Sequence, residues 1–280
     1  MLSIIFGLAS ALSWGAGDFT GGLAARRVGA YRSVFYAEVV GVIFLFIVLA
    51  FVGEPLPDRR AQIFALVAGA FGTMGLMLLY HSMTLGLMSI AAPVSALLAA
   101  ALPVAVGMFT EGLPDFLTMI GFVFALFAVW MISQSEGSVT NILSHLSDLK
   151  LPLLAGIGFG FYFVLMHQAT KDGGAFWHMT FSRFGGMALI VTYLLVTRSS
   201  WKIDISALPV ISANGLLDIG GNYFFILAAQ AGRLDVASVL SSLFPGATVL
   251  LAWVFLKERL NRNQWIGVGA ALTAIILMTI

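Results

Sequence analysis

Residues 35–53 read FYAEVVGVIFLFIVLAFVG, and Glu38 is the one charged residue in this stretch. A helix needs about 20 mostly apolar residues to cross the hydrocarbon core of a bilayer. The whole chain has the same character: 60% of its 280 residues are hydrophobic and 10% are charged, against about 25% charged in a typical soluble domain. The sequence therefore predicts an integral membrane protein, with this stretch inside its second spanning helix.

Ten apolar segments follow one another along the chain, separated by short joints that hold most of the charge. The first begins near Leu2 and is interpreted as a spanning helix, because neither a charged leader nor a cleavage site precedes it. We predict an all-α integral membrane fold of ten transmembrane helices. The predicted spans are residues 2–24, 32–52, 63–82, 88–109, 116–133, 151–170, 176–196, 207–231, 236–256 and 263–280.

A weak internal repeat relates the two halves of the chain. A shift of 146 residues aligns Gly69 with Gly215. We expect two five-helix repeats, at 1–135 and 151–280, joined by a linker at 136–150. Because five is odd, the second repeat must enter the membrane from the opposite side, which makes the repeat inverted. Further pairs at this or a nearby shift are Gly75 and Gly221, Gly86 and Gly232, Ala91 and Ala237, Ser95 and Ser241, Leu97 and Leu243, Gly121 and Gly267, Gly7 and Gly156, and Gly41 and Gly186.

Two of the predicted helices contain proline. Pro93 and Pro103 fall in the fourth and Pro245 in the ninth. Proline removes a backbone hydrogen bond and bends a helix, so these two helices are candidates for moving parts.

Basic residues lie mostly in the joints that would face inward if both termini were outside, which is the orientation that the positive-inside rule favours. These residues are Arg26, Arg27, Arg32, Lys150, Arg198, Lys202, Lys257, Arg259 and Arg262.

A polar stripe marks the eighth predicted helix. Asn214, Asp218 and Asn222 recur at steps of four residues and therefore share one helix face. An ionisable group inside a membrane helix is costly, and its default interpretation is functional. We predict that Asp218 faces a cavity, where it binds a proton or a polar ligand. The alternative is a buried, hydrogen-bonded carboxylate that locks helices together.

Glu38 and Arg183 occupy matching places in the second and seventh predicted helices, and each is followed three residues later by a glycine. They can form a pair that offsets the cost of desolvation. Alternatively, Arg183 holds a carboxylate or phosphate of the substrate through its planar guanidinium, and Glu38 reaches the membrane surface.

Four further residues are candidates for contact with a solute or a coupling ion. Asp18 and Trp14 share a face of the first helix, and a shift of 149 residues aligns Asp18 with His167. Tyr223 lies beside Asn222 and could stack on a ligand. The alternative for Asp18 and His167 is pairing near the membrane surface, and for the two aromatic residues it is ordinary packing.

The chain offers no sign of catalysis or of a cofactor. The four histidines, His81, His145, His167 and His178, lack the spacing of metal ligands, so we predict no metal site. We expect no catalytic residue, because no HExxH motif, Ser–His–Asp grouping or glycine-rich phosphate loop is present. The net charge of +1 gives no argument for a nucleic-acid partner.

Several short motifs carry a family resemblance. They are SWGAGDF at 13–19, LAARR at 23–27, FTEG at 109–112, FLKERL at 255–260 and QWIG at 264–267, together with Pro245. In this order they resemble the drug/metabolite transporter superfamily, specifically its EamA-type ten-helix branch. Lys257 stands where the family often has glycine, and Glu38 where many members have arginine.

The resemblance implies export or exchange of amino acids, amines, sugars or similar metabolites through a central cavity formed by both halves. In eukaryotic members both termini are cytosolic, which is opposite to the charge count, so the orientation stays open. The substrate, the direction of transport and the oligomeric state also stay open.

We therefore expect a secondary transporter that moves amino acids or related polar solutes by alternating access in a bacterial inner membrane. Its partners would be the solute, the lipid bilayer and a coupling proton or counter-solute, because no ATP-binding motif is present. The alternatives are an ion channel, a membrane enzyme acting on a lipid, and a scaffold or sensor.

Overall fold

The computed structural model describes residues 1–85, 88–132, 150–256 and 261–278, and this part of the chain contains helices but no β-strand. Most of the predicted linker, together with Gly86, His145 and the residues KERL at 257–260, lies outside the described residues. A short 3₁₀ turn, Ile205–Ala207, precedes the eighth helix. The helices are α1 (Leu2–Val28), α2 (Ala30–Val52), α3 (Arg59–Thr84), α4 (Met88–Thr110), α5 (Phe116–Ile132), α6 (Lys150–Ala169), α7 (Phe176–Val196), α8 (Leu208–Ala231), α9 (Leu234–Ser241), α10 (Phe244–Leu256) and α11 (Arg262–Leu277).

Within the described ranges, six helices are long and apolar enough to cross a membrane: α1, α2, α3, α6, α7 and α8 with its 3₁₀ turn. The ranges Val94–Thr110 and Phe116–Ile132 are shorter apolar helices. Large apolar side chains such as Phe51, Phe109 and Val196 are more than three-quarters exposed. A surface of this kind is stable against lipid chains and not against water, so the protein is an integral membrane protein.

The ninth predicted span differs from the prediction, because it is divided into α9 and α10. Pro245 is the second residue of α10. At this position a backbone N–H would have no partner within the helix, so the missing N–H of proline costs no hydrogen bond. Between the two helices, Leu243 donates to the Leu240 carbonyl at 3.2 Å and Gly246 to the Leu243 carbonyl at 2.9 Å. Hydrogen bonds between residues three apart are typical of a 3₁₀ turn, which is narrower than an α-helix. Pro93 and Pro103, in contrast, lie within a continuous α4.

Polar residues in the joints begin several helices. Asp58 accepts the N–H of Ala61 at 2.7 Å and so caps α3. Asp115 accepts the N–H of Thr118 at 3.0 Å and its hydroxyl at 2.6 Å, and these bonds lower the pKa of Asp115 below its ordinary value. Such caps satisfy the free N–H groups of the first helical turn, and they explain why the joints hold acidic residues.

The joints gather at two faces of the molecule. At one face the start of α1 meets the end of α8, where Ser3 donates to the Ala228 carbonyl at 2.8 Å. This face, here called the terminal face, also holds the end of α11. At the opposite face Arg32 donates to the Lys202 carbonyl at 2.8 Å. It is called the basic face, because the described joint residues there include Arg26, Arg27, Arg32, Lys150, Arg198, Lys202 and Arg262.

The helices pack as two bundles, each of which mixes the two halves of the chain. In the first bundle, α1 packs along α8 and against α9 and α10, and α2 packs on α8. In the second bundle, α6 packs along α3 and α4, and α7 packs on α3. Helices α5 and α11 pack mainly on each other.

Glycines that align between the two halves of the chain make similar helix contacts. A Cβ added to Gly7 of α1 would lie 2.9 Å from Leu240 of α9, and one added to Gly156 of α6 would lie 2.6 Å from Leu98 of α4. The pair formed by α1 and α9 therefore corresponds to the pair formed by α6 and α4 when one half of the chain is aligned with the other. Two more aligned pairs behave in the same way. Gly75 contacts Phe159 of α6, and its counterpart Gly221 contacts Trp14 of α1. Gly121 contacts Ala274 of α11, and its counterpart Gly267 contacts Ala128 of α5.

We predict that Gly185→Ala destabilises the second bundle, because a Cβ there would overlap the carbonyl of Leu66 on α3. Overpacking of this kind costs about 1–3 kcal/mol or more. Gly269→Ala is the matched control, since a Cβ on this residue of α11 meets nothing within 4 Å. The measurement is the melting temperature of each purified variant in detergent. Equal melting temperatures for the two variants would contradict the proposed close packing of α3 on α7.

Candidate functional site

Arg183 lies at the interface between the two bundles. Its Nη1 donates to Oε2 of Glu38 at 3.0 Å, and its Nη2 donates to Oδ2 of Asp218. The side chains of Arg183, Glu38 and Asp218 are 9%, 3% and 17% exposed. Arg183 belongs to the second bundle and both carboxylates to the first, so one cation joins two anions across the interface. The Glu38–Arg183 pair was one of the two arrangements that the sequence left open.

The two glycines that follow these charged residues provide room for the opposing side chain. A Cβ on Gly41 would lie 3.3 Å from Nε of Arg183, whereas a Cβ on Gly186 would overlap the Thr73 hydroxyl and lie 3.1 Å from Oε1 of Glu38. Each glycine lies one helical turn beyond its own charged residue. Gly41 therefore makes room for Arg183, and Gly186 makes room for Thr73 and for the Glu38 carboxylate that Thr73 contacts.

Further hydrogen bonds extend the network to other helices of both bundles. Thr73 of α3 donates to Oε1 of Glu38 at 2.7 Å. Asn222 donates to the backbone carbonyl of Asp218 at 2.7 Å and to its Oδ2 at 3.0 Å. The amide oxygen of Asn222 accepts a hydrogen bond from Tyr162 of α6. Both carboxylates are thus oriented by neutral partners as well as by Arg183.

Asp18 forms a second polar group nearer the basic face. It is 7% exposed, and its carboxyl is hydrogen-bonded to the Tyr80 hydroxyl. Asn214 donates to that hydroxyl at 3.1 Å and to the carbonyl of Gly17 at 2.8 Å. Gly21 makes room for the Tyr80 ring, because a Cβ there would overlap the hydroxyl. Tyr80 belongs to α3, so this group also bridges the two bundles.

A cavity lies between the bundles. Its walls come from helices of both halves of the chain, as the resemblance implied for a central cavity. The polar lining residues are Asp18, Glu38, Thr73, Tyr162, Ser182, Arg183, Asp218 and Asn222, and the apolar ones include Trp14, Leu76, Phe159, Phe163 and Phe244.

Aromatic side chains form one wall of this cavity. The rings of Trp14 and Phe163 stack with centroids 5.4 Å apart, and the ring of Phe225 lies 4.5 Å from that of Phe163. A shift of 149 residues aligns Trp14 with Phe163, so this stack joins equivalent positions of the two halves.

The structure brings together six of the nine residues singled out in the sequence. Asp218, Arg183, Glu38, Asn222, Asp18 and Trp14 line the cavity, whereas Asn214 connects α1, α3 and α8 beside it. Tyr223 stacks on Phe176 with centroids 5.2 Å apart, away from the cavity. His167 lies 3.7 Å from Glu111 at the terminal face. His167 is therefore remote from Asp18, with which the sequence aligns it.

Several lining residues were not selected from the sequence. Thr73 lies in a stripe of glycines that indicates packing, and Tyr162 has no charged neighbour in the sequence. Phe163 could have been found by applying the shift of 149 residues to Trp14. Among the described residues, no group of three or more His, Asp or Glu side chains is placed to hold a metal ion.

At the terminal face, Arg233 joins the two bundles. It donates to the Gly112 carbonyl at 2.6 Å and to the buried Asp235 carboxylate at 2.7 Å. The hydrogen bond to Asp235 raises the pKa of Arg233 above its ordinary value. The N–H of Leu234 points to the carboxylate of Glu111, with a distance of 3.3 Å to Oε2. The end of α4 is thereby bound to the start of α9.

Two other residues of the first bundle contact the α6–α7 joint at the same face. Glu54 accepts the N–H groups of Ala175 and Phe176 at 3.1 and 3.0 Å. Gln230 donates to the carbonyls of Thr170 and Gly174 at 3.0 and 2.9 Å. The terminal face is therefore closed by polar contacts between the bundles.

At the basic face the contacts between the bundles are aromatic. The ring of Tyr31 on α2 lies 4.4 Å from that of Tyr193 on α7 and 5.6 Å from that of His81 on α3, measured between centroids. The two faces thus hold the bundles together by different interactions, with the charged centre at Arg183 between them.

A polar cavity between helices is a common site for small solutes, and the family match makes this protein a membrane transporter of small solutes. The chain belongs to the EamA-like transporter family, whose family model matches residues 1–134 and 148–280. This match confirms the resemblance to the drug/metabolite transporter superfamily.

Three curated relatives and one solved structure are similar to the chain. An uncharacterised member of solute carrier family 35 from Schizosaccharomyces pombe is 34% identical over 86 residues, which are 31% of this chain and 15% of that protein. An uncharacterised Methanocaldococcus jannaschii protein is 30% identical over 34% of this chain and 69% of its own length. An uncharacterised Haemophilus influenzae protein is 29% identical over 43% of this chain and 42% of its own length.

The solved crystal structure has a TM-score of 0.77 at 15% identity and covers 99% of this chain and 96% of the other. At this identity the likeness concerns the fold alone.

We predict that Arg183→Gln strongly destabilises the protein, because it leaves Glu38 and Asp218 buried without a cation. Breaking a buried ion pair from one side costs about 3–5 kcal/mol. The double variant Arg183→Gln/Glu38→Gln should recover part of this loss, since it removes one of the two stranded carboxylates.

The measurement is the melting temperature of each variant in detergent, with the exposed Arg27→Gln as the control for loss of one positive charge. If Arg183→Gln melts at the same temperature as Arg27→Gln, the central ion pairs do not stabilise this fold.

Proposed function

We propose that the protein is a secondary transporter that carries small polar metabolites, such as amino acids or related solutes, by alternating access. The single observation that carries this proposal is the polar cavity between the two bundles. Each bundle contains helices of both halves of the chain, and the two bundles correspond to each other when the halves are aligned. We also propose that it works in a bacterial inner membrane, for which the support is a relative from Haemophilus influenzae.

The proposal includes an architecture of ten spans in two inverted five-helix repeats, 1–135 and 151–280, around a linker at 136–150. The equivalent contacts of Gly7 and Gly156 and the contact of Trp14 with Phe163 support it. The direction of α6 also supports it: His167 meets Glu111 and Gly156 meets Leu98, so α6 runs parallel to α4 and opposite to α1. Inverted repeats are a common basis of alternating access.

Movement would occur between the bundles and not within them. Inside each bundle, glycines bring helix backbones into close contact, as where Gly69 meets Ser182 and Gly215 meets Ala37. Between the bundles, α2 packs on α7 and α9 packs on α4, and the polar contacts of Arg183 and Arg233 are made by side chains. A tilt of one bundle on the other would change these contacts. Arg183 lies between the two faces, so the bundles can tilt about it while the contacts at the terminal and basic faces open in turn.

Each central residue has a role in this proposal. Asp218 and Asn222 offer polar atoms to the solute, and Trp14 offers an aromatic surface. Glu38 and Arg183 keep the bundles in register during the tilt. Asp18 lies in the same cavity and can bind a proton or part of the solute. The energy comes from a proton gradient or from a counter-solute.

We predict that a cysteine at Leu76, which lines the cavity, reacts with a membrane-impermeant maleimide added from either side of the membrane. The native chain contains no cysteine, so the introduced thiol is the only one. Alternating access exposes the cavity to each side in turn. The reaction is measured in right-side-out and inside-out vesicles.

Two exposed positions are the controls. Asp172→Cys, at the terminal face, and Ser200→Cys, at the basic face, should each react from one side only. Reaction of Leu76→Cys from one side alone, or from neither, would contradict alternating access.

A further inference from the structure

The central cavity holds an excess of acidic groups. Three carboxyl groups line it, those of Asp18, Glu38 and Asp218, and Arg183 is the one lysine or arginine in the described lining. The excess concerns the cavity that the proposed transport function uses, so the inference below rests on that function and specifies its substrate.

Arg183 is not free to bind an anion. Its Nη1 donates to Glu38 at 3.0 Å, and its Nη2 donates to Asp218. A carboxylate or phosphate entering the cavity would have to displace one of these partners and leave it buried without a cation, which is costly. It would also approach the third carboxyl group, that of Asp18.

The acidic groups, in contrast, retain capacity for a positive charge. Arg183 and Asn222 both donate to the same oxygen of Asp218, Oδ2, and no described residue donates to Oδ1. The Asp218 side chain is 17% exposed, compared with 3% for Glu38. Asp18 lines the same cavity as Asp218, and the two helices are close there, since a Cβ on Gly17 would lie 3.6 Å from the backbone nitrogen of Asp218.

The walls beside these carboxyl groups are aromatic. Trp14 lies one helical turn from Asp18 on α1, and Phe159, Phe163 and Phe244 complete an apolar part of the lining. Aromatic rings attract cations through their faces, and tryptophan does so most strongly. The combination suits a solute with one positive charge and an apolar body.

We propose that the cavity binds a small organic cation, an amine with an aromatic or apolar body, whose ammonium group lies between Asp18 and Asp218 and beside the Trp14 ring. The ammonium group pairs with the acidic groups of the lining, and the apolar body packs against the aromatic wall. Amino acids that keep a free carboxylate bind more weakly, because Arg183 is already occupied.

The test uses four probes that share a phenyl ring and differ in charge: 2-phenylethylamine, phenylalanine, 3-phenylpropionate and 2-phenylethanol. Each is added to the purified protein, and the melting temperature is recorded as a function of concentration. Binding to the folded state raises the melting temperature by mass action. The amine should stabilise the protein at the lowest concentration, and the phenylpropionate anion should have no effect.

Two substitutions locate the site. Asp18→Asn and Asp218→Asn should each weaken the apparent affinity for the amine by about tenfold or more, because each removes a buried charge that faces the ligand. Asp172→Asn removes the same charge from an exposed joint and should leave the affinity unchanged. If neither cavity variant folds, the comparison of the four probes on the native chain decides the matter.

Three outcomes would overturn the proposal: no stabilisation by the amine, equal or better stabilisation by phenylalanine or 3-phenylpropionate, or unchanged affinity in both cavity variants. These outcomes leave the proposed transport function unchanged. That function is contradicted separately if the cysteine introduced at Leu76 reacts from one side of the membrane alone.

Discussion

Two buried carboxylates of one helix bundle share a single guanidinium of the other, and the rest of the structure depends on this arrangement. Glu38 and Asp218 cannot lie at the bundle interface without a nearby cation, because an isolated buried charge costs several kcal/mol (about 3–5 when a pair is broken). Arg183 satisfies both. The bundles are thus attached to each other near the middle of their interface, with the cavity beside the attachment and separate sets of contacts at the two faces.

Glycine residues determine how closely the helices pack. Lipid gives no hydrophobic drive for helix association, so close backbone approach at small residues must hold helices together. Gly69, Gly185 and Gly215 allow such approach within the bundles, whereas Gly41 makes room for Arg183 and Gly186 makes room for Thr73 and the Glu38 carboxylate. One residue type therefore allows close helix packing in one place and makes room for the ionic network in another.

The sequence predicts much of this and misses some of it for physical reasons. Hydropathy locates the helices, because each span must be apolar, and the cost of buried charge identifies Glu38, Arg183 and Asp218. Whether Arg183 pairs with a carboxylate of the protein or stays free for a ligand depends on the packing of α2, α7 and α8. That packing cannot be read from a single sequence. Tyr162 and Thr73 look like ordinary helix residues until their hydroxyl partners are in place. The ninth span was predicted as one helix, because hydropathy does not register the change of backbone bonding before Pro245.

The most direct test of the account is a pair of distance measurements by double electron–electron resonance, with spin labels on introduced cysteines. One pair, Val52 and Asp172, spans the two bundles at the terminal face, and the other, Arg27 and Val196, spans them at the basic face; all four residues are exposed. Tilting of the bundles about Arg183 predicts two populations in which one distance shortens as the other lengthens. Distances that lengthen together would indicate a continuous pore, and single distances that do not respond to pH or solute would indicate a rigid protein; either result would contradict the account.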